Sequence, residues 1–365
     1  MTDRFGYRYG VSFPGHVYAE VGKMRKLTGF EHGINFGGWL SQCDHERSTY
    51  EGFITEKDFK TVSEWGLDHV RIPIDYKLLE TEQGEYIRDN FIYLDHAVAW
   101  CRKYGLNMIL DLHSTYGFSF DDYEEGGVFF KNEEYQERYY RLWEELAGRY
   151  GSNSDMLIIE LLNEVTEKEY CDPWNRIATE CIKRIRAIAP DIKIMFGGYY
   201  NNSIEALKDL CEPYDENIVY TFHCYEPLIF THQGAYWVPT MDTGYRIGID
   251  ATYREMKEAT EKYMSQIAVG FDELDPEGHF DGEYLDRYFA EAVRVAEERN
   301  VPLYCGEYGV IDLADPGELL KWYEVMHESF EKYNIGRAAW TYKALDFGFV
   351  DEHMKPVLER VVKLL

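Results

Sequence analysis

The sequence predicts one (β/α)8 barrel of parallel strands, and three observations carry that reading. Short apolar runs alternate with amphipathic stretches of helical period from about residue 29 onward. Eight such pairs follow one another, the number that closes a parallel barrel. The run from Met156 to Leu162, broken only by Glu160, is too short for a globular helix and stops abruptly at Asn163 and Glu164. Buried parallel strands read as continuous apolar runs, and a barrel keeps its chemistry at their C-terminal ends. Val301 to Glu307 repeats the pattern and delivers a second carboxylate beside a glycine.

Residues 1–28 are polar, aromatic and dotted with glycine without a clear period, so they are expected to form a surface lead-in to a domain spanning 29–365. Strand one is expected from Ile34 to Leu40, with paired glycines turning the chain beside Trp39. Thr55 to Asp58 is a capping-box signature that opens a helix up to Gly66. Strand two follows from Asp68 to Ile74, then a helix from Ile92 to Tyr104 that stops at Gly105, then strand three from Asn107 to His113. Tyr135, Tyr139, Leu142, Leu146 and Tyr150 mark the helix before strand four, the run that ends at Glu164. Trp174 to Ile188 repeats as one helical face, closed by Pro190 ahead of strand five, Ile192 to Phe196. Ser203 opens a short helix, and strand six is Asn217 to His223.

The rhythm then breaks between about Glu226 and Gly282, too long a gap for an ordinary connection. This insertion between strand six and helix six carries a helical pattern from about Asp250 to Gln266 and is expected to form a small subdomain over the barrel mouth. Leu285 to Ala296 gives helix six, and strand seven ends at Glu307. Asp315-Pro316 starts a helix reaching Tyr333. Strand eight is expected from Ala338 to Tyr342, and a closing helix from Lys355 to Leu365.

Bulk properties exclude several classes. A net charge of −28 argues against nucleic-acid and anionic-membrane partners, both of which need Lys/Arg patches. No stretch reaches the length of an apolar membrane span. The start, Met-Thr-Asp-Arg-Phe-Gly-Tyr, has no basic segment followed by an apolar one, so cytoplasmic residence is expected, or secretion if a signal has been removed. Seven cysteines without a Cys-x-x-Cys pair read as reduced thiols. A doubly wound open sheet is the alternative architecture, but no glycine-rich phosphate loop follows any strand. A monomer is expected, with neither cofactor nor metal, since no His-Glu-x-x-His or close ligand cluster is present.

If the strands are parallel, their exits form one rim that gathers Arg71, His113, Asn163, Glu164, His223, Tyr225, Glu307 and Trp340. Two carboxylates from separate strands are the equipment of retaining glycoside hydrolysis: one protonates the leaving oxygen while the other attacks the anomeric carbon. Arg71 keeps its partner carboxylate ionised in this reading, and desolvation keeps the acid protonated. Glu160 shares strand parity with Glu164 and reads as a buried structural partner. Trp39, Trp237 and Trp340 are either packing or rings that stack on sugar faces.

The segments Gly33 to Gln42, Asp68 to Pro73, Leu161 to Glu164, Phe222 to Tyr225, Phe230 to Gln233, Tyr304 to Gly309 and Ala339 to Lys343 resemble glycoside hydrolase family 5, the cellulase family, and within it the clostridial endoglucanase C type. The resemblance implies a retaining barrel hydrolase with Glu164 as acid/base and Glu307 as nucleophile. It further implies that Asn163 binds the 2-hydroxyl, that Tyr225 and Arg71 position the nucleophile, that His113 and His223 bind sugar or orient the acid, and that Trp340 is the stacking floor. Val165 stands where the family usually has proline. The implied substrate is a β-1,4 or mixed-linkage β-1,3/1,4-glucan. β-Mannanase, xylanase and exo-acting β-glucosidase activities share the same apparatus. A non-catalytic carbohydrate-binding barrel would be expected to have lost one of the two glutamates.

Overall fold

The computed structural model describes residues 24–121, 127–265 and 270–365. Eight strands line the barrel: β1 His32–Asn35, β2 His69–Asp75, β3 Asn107–Thr115, β4 Leu157–Glu160, β5 Lys193–Phe196, β6 Ile218–His223, β7 Leu303–Tyr308 and β8 Gly336–Ala339. Each pairs in parallel with the next, and the pairing of His32 with Arg337 joins β8 back to β1, so the sheet closes on itself. Phe118–Ser119 folds back antiparallel on the end of β3.

Helices cover the outside because each presents one apolar stripe. Cys171–Ile188 buries Trp174, Ile177, Ala178, Cys181, Ile182 and Ile185, a face of period 3.6 laid against the sheet. Glu56–Glu64 begins at the expected cap, where the Thr55 amide donates to the Asp58 carboxylate at 2.7 Å. Phe91–Tyr104 ends at Gly105 in the left-handed conformation, and Gly282–Arg299 and Pro316–Tyr333 end similarly at Asn300 and Asn334.

Several boundaries differ from the sequence expectation. β1 ends at Asn35, well before Leu40, because the chain turns at Gly38 with φ +75°. β8 ends at Ala339, where side-chain bonds replace the ladder: the Thr341 hydroxyl accepts from the Gly37 amide at 3.0 Å and donates to the Asn35 carbonyl at 2.9 Å. The closing helix is only Leu358–Val361, preceded by a 3-10 turn at Glu352–Met354 and flanked by further turns. Ser203 leads into a 3-10 helix, Ile204–Asp209. The insertion helix is Tyr253–Tyr263, capped by Thr252, and Gln266 lies outside the described residues. Of the expected surface lead-in, residues 1–23 lie outside the described residues, whereas Met24 and Leu27 are buried. Leu27 and Phe30 pack with Ile109, Ile158, Met195, Val219, Tyr304 and Ala338 and plug one end of the barrel.

That plug fixes which side chains face inward. Side chains alternate along a strand, so the parity of Ile109 carries Asp111 and His113 inside, that of Ile158 carries Glu160, and that of Val219 carries Thr221 and His223. The interior therefore changes from an apolar layer at the plug to a polar one at the opposite mouth. β7 reaches the same result by a different route. Tyr304 points inward, so Glu307 has the wrong parity, but the register against β6 skips a residue: Cys305 faces Phe222 and Glu307 faces His223. This bulge at Gly306 turns Glu307 into the barrel. A Cβ at Gly306 would sit 3.0 Å from His223 Nε2 and 3.1 Å from Thr221 Oγ1, so any side chain there would crowd both residues.

Candidate active site

Arg71 on β2 is the centre of the polar layer and is fully buried. Its Nε and Nη2 donate to the two Glu160 oxygens at 2.7 and 3.1 Å. Nη2 also donates to Asn163 Oδ1 at 2.8 Å and pairs with Asp111 Oδ2 at 3.0 Å. Nη1 donates to Asn35 Oδ1 and to Glu307 Oε1, each at 2.9 Å. Burial alone would weaken the Arg71 proton, but the fields of Asp111, Glu160 and Glu307 outweigh it and hold the guanidinium charged. Arg71 is therefore at once a buried ion-pair residue, through Glu160, and a direct partner of the second strand-end carboxylate, Glu307. Glu160 is the buried partner expected from its parity.

Glu307 receives a second bond from the Tyr225 hydroxyl, which donates to Oε2 at 2.9 Å. Its carboxylate is thus held by a permanent cation on one oxygen and a phenol on the other. Glu164 has a different environment. Asn201 Nδ2 donates to its Oε2 at 2.7 Å, and His223 Nδ1 lies 2.6 Å from its Oε1. Burial pushes the Glu164 carboxyl up to about 7 against the downward pull of Asn201. Burial also lowers His223 to about 4, so its ring is neutral at pH 7. Asn202 Nδ2 faces His223 Nε2 at 3.4 Å, which places the single ring proton on Nδ1, where it donates to Glu164. One carboxylate oxygen of Glu164 lies within 4.8 Å of one of Glu307, with a His223 ring nitrogen in the same small cluster. A metal ion could span these three ligand atoms by distance alone, but each residue already has hydrogen-bond partners within the protein.

His113 Nδ1 donates to Asp111 Oδ2 at 2.7 Å, and its Nε2 faces the Asn163 amide at 3.5 Å. Burial pulls His113 down, but Asp111 outweighs it and raises the imidazole to about 8. The Trp340 indole is parallel to the His113 ring, 2° between planes and 5.8 Å between centroids. These groups open on a cleft of about 460 Å³, lined among others by His113, Glu164, Tyr225, His232, Glu307 and Trp340. Past His113 it continues into a more polar lobe of about 470 Å³ containing His45, Asp75 and Ser114.

Trp39 does not join them. It is 1% exposed, its indole N–H donates to the Tyr50 carbonyl at 2.9 Å, and its ring packs on Phe36 and Phe59 outside the barrel wall. The turn at Gly38 carries it away from the mouth. Conversely, Asn35, Asp111 and Asn201 were missed by the sequence reading. Asp111 had a visible signal, a charge two residues before His113 on one strand face. Asn201 is placed by three successive left-handed residues, Tyr200, Asn201 and Asn202, whose loop bonds to the Val165 and Thr166 carbonyls.

The model of the cellulase family, glycosyl hydrolase family 5, matches residues 22–346. The chain belongs to that family. It is a glycoside hydrolase built on a barrel of the family's type. Cellodextrinase A of Ruminococcus flavefaciens is 45% identical over 314 residues, covering 86% of this chain and 86% of the relative. Endoglucanase C of Acetivibrio thermocellus is 36% identical over 346 residues, 93% of this chain and 98% of the relative. Among solved structures, endoglucanase Cel5A of the hyperthermophilic Thermotoga maritima superposes with a TM-score of 0.72 at 25% identity, covering 92% of this chain and 97% of its own.

Proposed function

We propose that this family 5 hydrolase is a retaining endo-β-glucanase that cleaves β-1,4-glucan or mixed-linkage β-1,3/1,4-glucan by double displacement. The observation that carries the reading is the opposite treatment of two carboxylates within 4.8 Å of each other. Burial holds Glu164 protonated up to about pH 7, while Glu307 sits on the Arg71 guanidinium. Carboxyl groups separated by about 5 Å suit direct attack, whereas inversion needs room for a water between them.

In the first step Glu307 attacks the anomeric carbon as Glu164 gives its proton to the departing glycosidic oxygen, leaving a glycosyl ester on Glu307. In the second, Glu164, now a carboxylate, takes a proton from water as that water attacks the same carbon and Glu307 leaves. The His223 and Asn201 donors stabilise the charge that Glu164 carries between the steps. Asn163 Oδ1 is engaged by Arg71, which leaves its amide nitrogen to reach the sugar 2-hydroxyl, and Trp340 supplies the floor. Identity to cellodextrinase A supports a second reading, action on short β-glucan oligosaccharides.

The test is hydrolysis of barley mixed-linkage glucan, carboxymethylcellulose, mannan, xylan and cellodextrins by wild type and by Glu307→Gln, with product anomers followed by NMR. The expected result is prompt β-anomer from a glucan and a loss of at least about a thousandfold in the variant. Prompt α-anomer or undiminished variant activity would overturn the mechanism, and activity confined to cellodextrins would favour the second reading.

A further inference from the structure

Large apolar side chains at the surface are usually isolated and part-covered, but Tyr236 is 75% exposed, more than any other such residue among those described. It also lines the cleft. Its place is not a floppy one. The residues just before it, Gln233 and Ala235, are buried, the Val238 amide closes the turn onto the Ala235 carbonyl at 3.2 Å, and Gln233 exchanges hydrogen bonds with Ile247, accepting from its amide at 3.1 Å and donating to its carbonyl at 3.2 Å.

The ring is the last of a ladder. Tyr225 donates to the Glu307 carboxylate; His232 stands edge-on to Tyr225 at 5.2 Å and 80°. Trp237 stands edge-on to His232 at 6.1 Å and 81°, and Tyr236 to Trp237 at 5.0 Å and 89°. Four rings thus lead from the second carboxylate to open solvent, and all four belong to the segment between β6 and the helix Gly282–Arg299. Aromatic faces held rigidly at low conformational cost are suited to covering the C–H faces of sugars.

We propose that Tyr236 is an outer sugar platform, and that the substrate is a β-glucan chain long enough to run from the two carboxylates out onto this ring. The inference rests on the glucanase reading above and deepens it, because it favours a polymer or long oligosaccharide over a disaccharide. The structure would then select substrate length at a residue remote from the bond that breaks.

The experiment compares wild type, Tyr236→Ala and Tyr236→Phe on soluble mixed-linkage glucan and on 4-nitrophenyl β-cellobioside. Tyr236→Ala is expected to lose about tenfold in kcat/KM on the glucan, carried by KM, and markedly less on the aryl cellobioside. Tyr236→Phe keeps the ring face and is expected to restore the polymer activity. An equal loss on both substrates, no loss on the polymer, or a Phe variant as impaired as the Ala variant would overturn the platform. Wild type cleaving the aryl cellobioside but not the glucan would overturn it too, while leaving the carboxylate mechanism standing. Inactivity of the wild type on both would remove the glucanase reading and the platform together.

Discussion

Burial lifts the Glu164 carboxyl from its ordinary 4.5 to about 7, so the folded protein holds that proton more tightly than the unfolded chain does. The stability linked to this proton is full below about pH 4.5 and is lost as pH rises through about 7. In Glu164→Gln the linkage is gone. The stability difference between variant and wild type should therefore move in the variant's favour from pH 5 to pH 8, by up to about 3 kcal/mol. Urea denaturation at both pH values checks this, and a pH-independent difference would show that Glu164 does not hold the proton. Wild-type turnover should fall on the alkaline side near the same pH, since the acid is then already spent. At this scale Arg71, His113, Asn163, Glu164, His223, Tyr225, Glu307 and Trp340 were legible as polar or aromatic residues at the ends of apolar runs. Trp39 misled because a ring at a strand exit says nothing about which side of the wall the next turn will place it. Asn201 was out of reach, since its position depends on a left-handed loop conformation that no spacing encodes.

Strand existence and order could be read from the apolar runs, whereas strand ends could not, because ladders stop where side chains such as the Thr341 hydroxyl take over the hydrogen bonding. The bulge in β7 was also invisible: alternation from Tyr304 sends Glu307 outward, and only the extra residue at Gly306 brings it in. This element gives a sharp expectation. Gly306→Ala would press a methyl group against His223 and Thr221, cost about 1–3 kcal/mol, and displace the His223 ring from between the two carboxylates. Turnover should fall by about 10- to 100-fold through misplacement alone. Thermal melting and steady-state kinetics on one preparation separate the two effects, and a variant of wild-type activity would show that the bulge does not need its glycine.

At the scale of the whole molecule, the barrel was legible from the alternation of runs and helices, and its closure is seen in the β8–β1 pairing. The plug was not, because Leu27 and Phe30 sit in a stretch without period and acquire their role only once the ring exists to be filled. Leu27→Ala should cost about 2–5 kcal/mol by leaving a cavity beneath Ile109 and Val219, with turnover at 25 °C retained. Retained stability would show that the plug is dispensable. The Arg71 hub, finally, has a meaning for the folding chain as well as for the finished enzyme. Its charged partners arrive on β3, β4 and β7, so a strand that slipped by one residue would reverse its inward and outward faces and withdraw a carboxylate from the guanidinium. A wrongly closed ring would then enclose unmatched charge, at a cost of several kcal/mol. The same residues that ready the cleft for chemistry thus act as a proofreading device for assembly, and a barrel that has closed stably has already passed inspection at its active site.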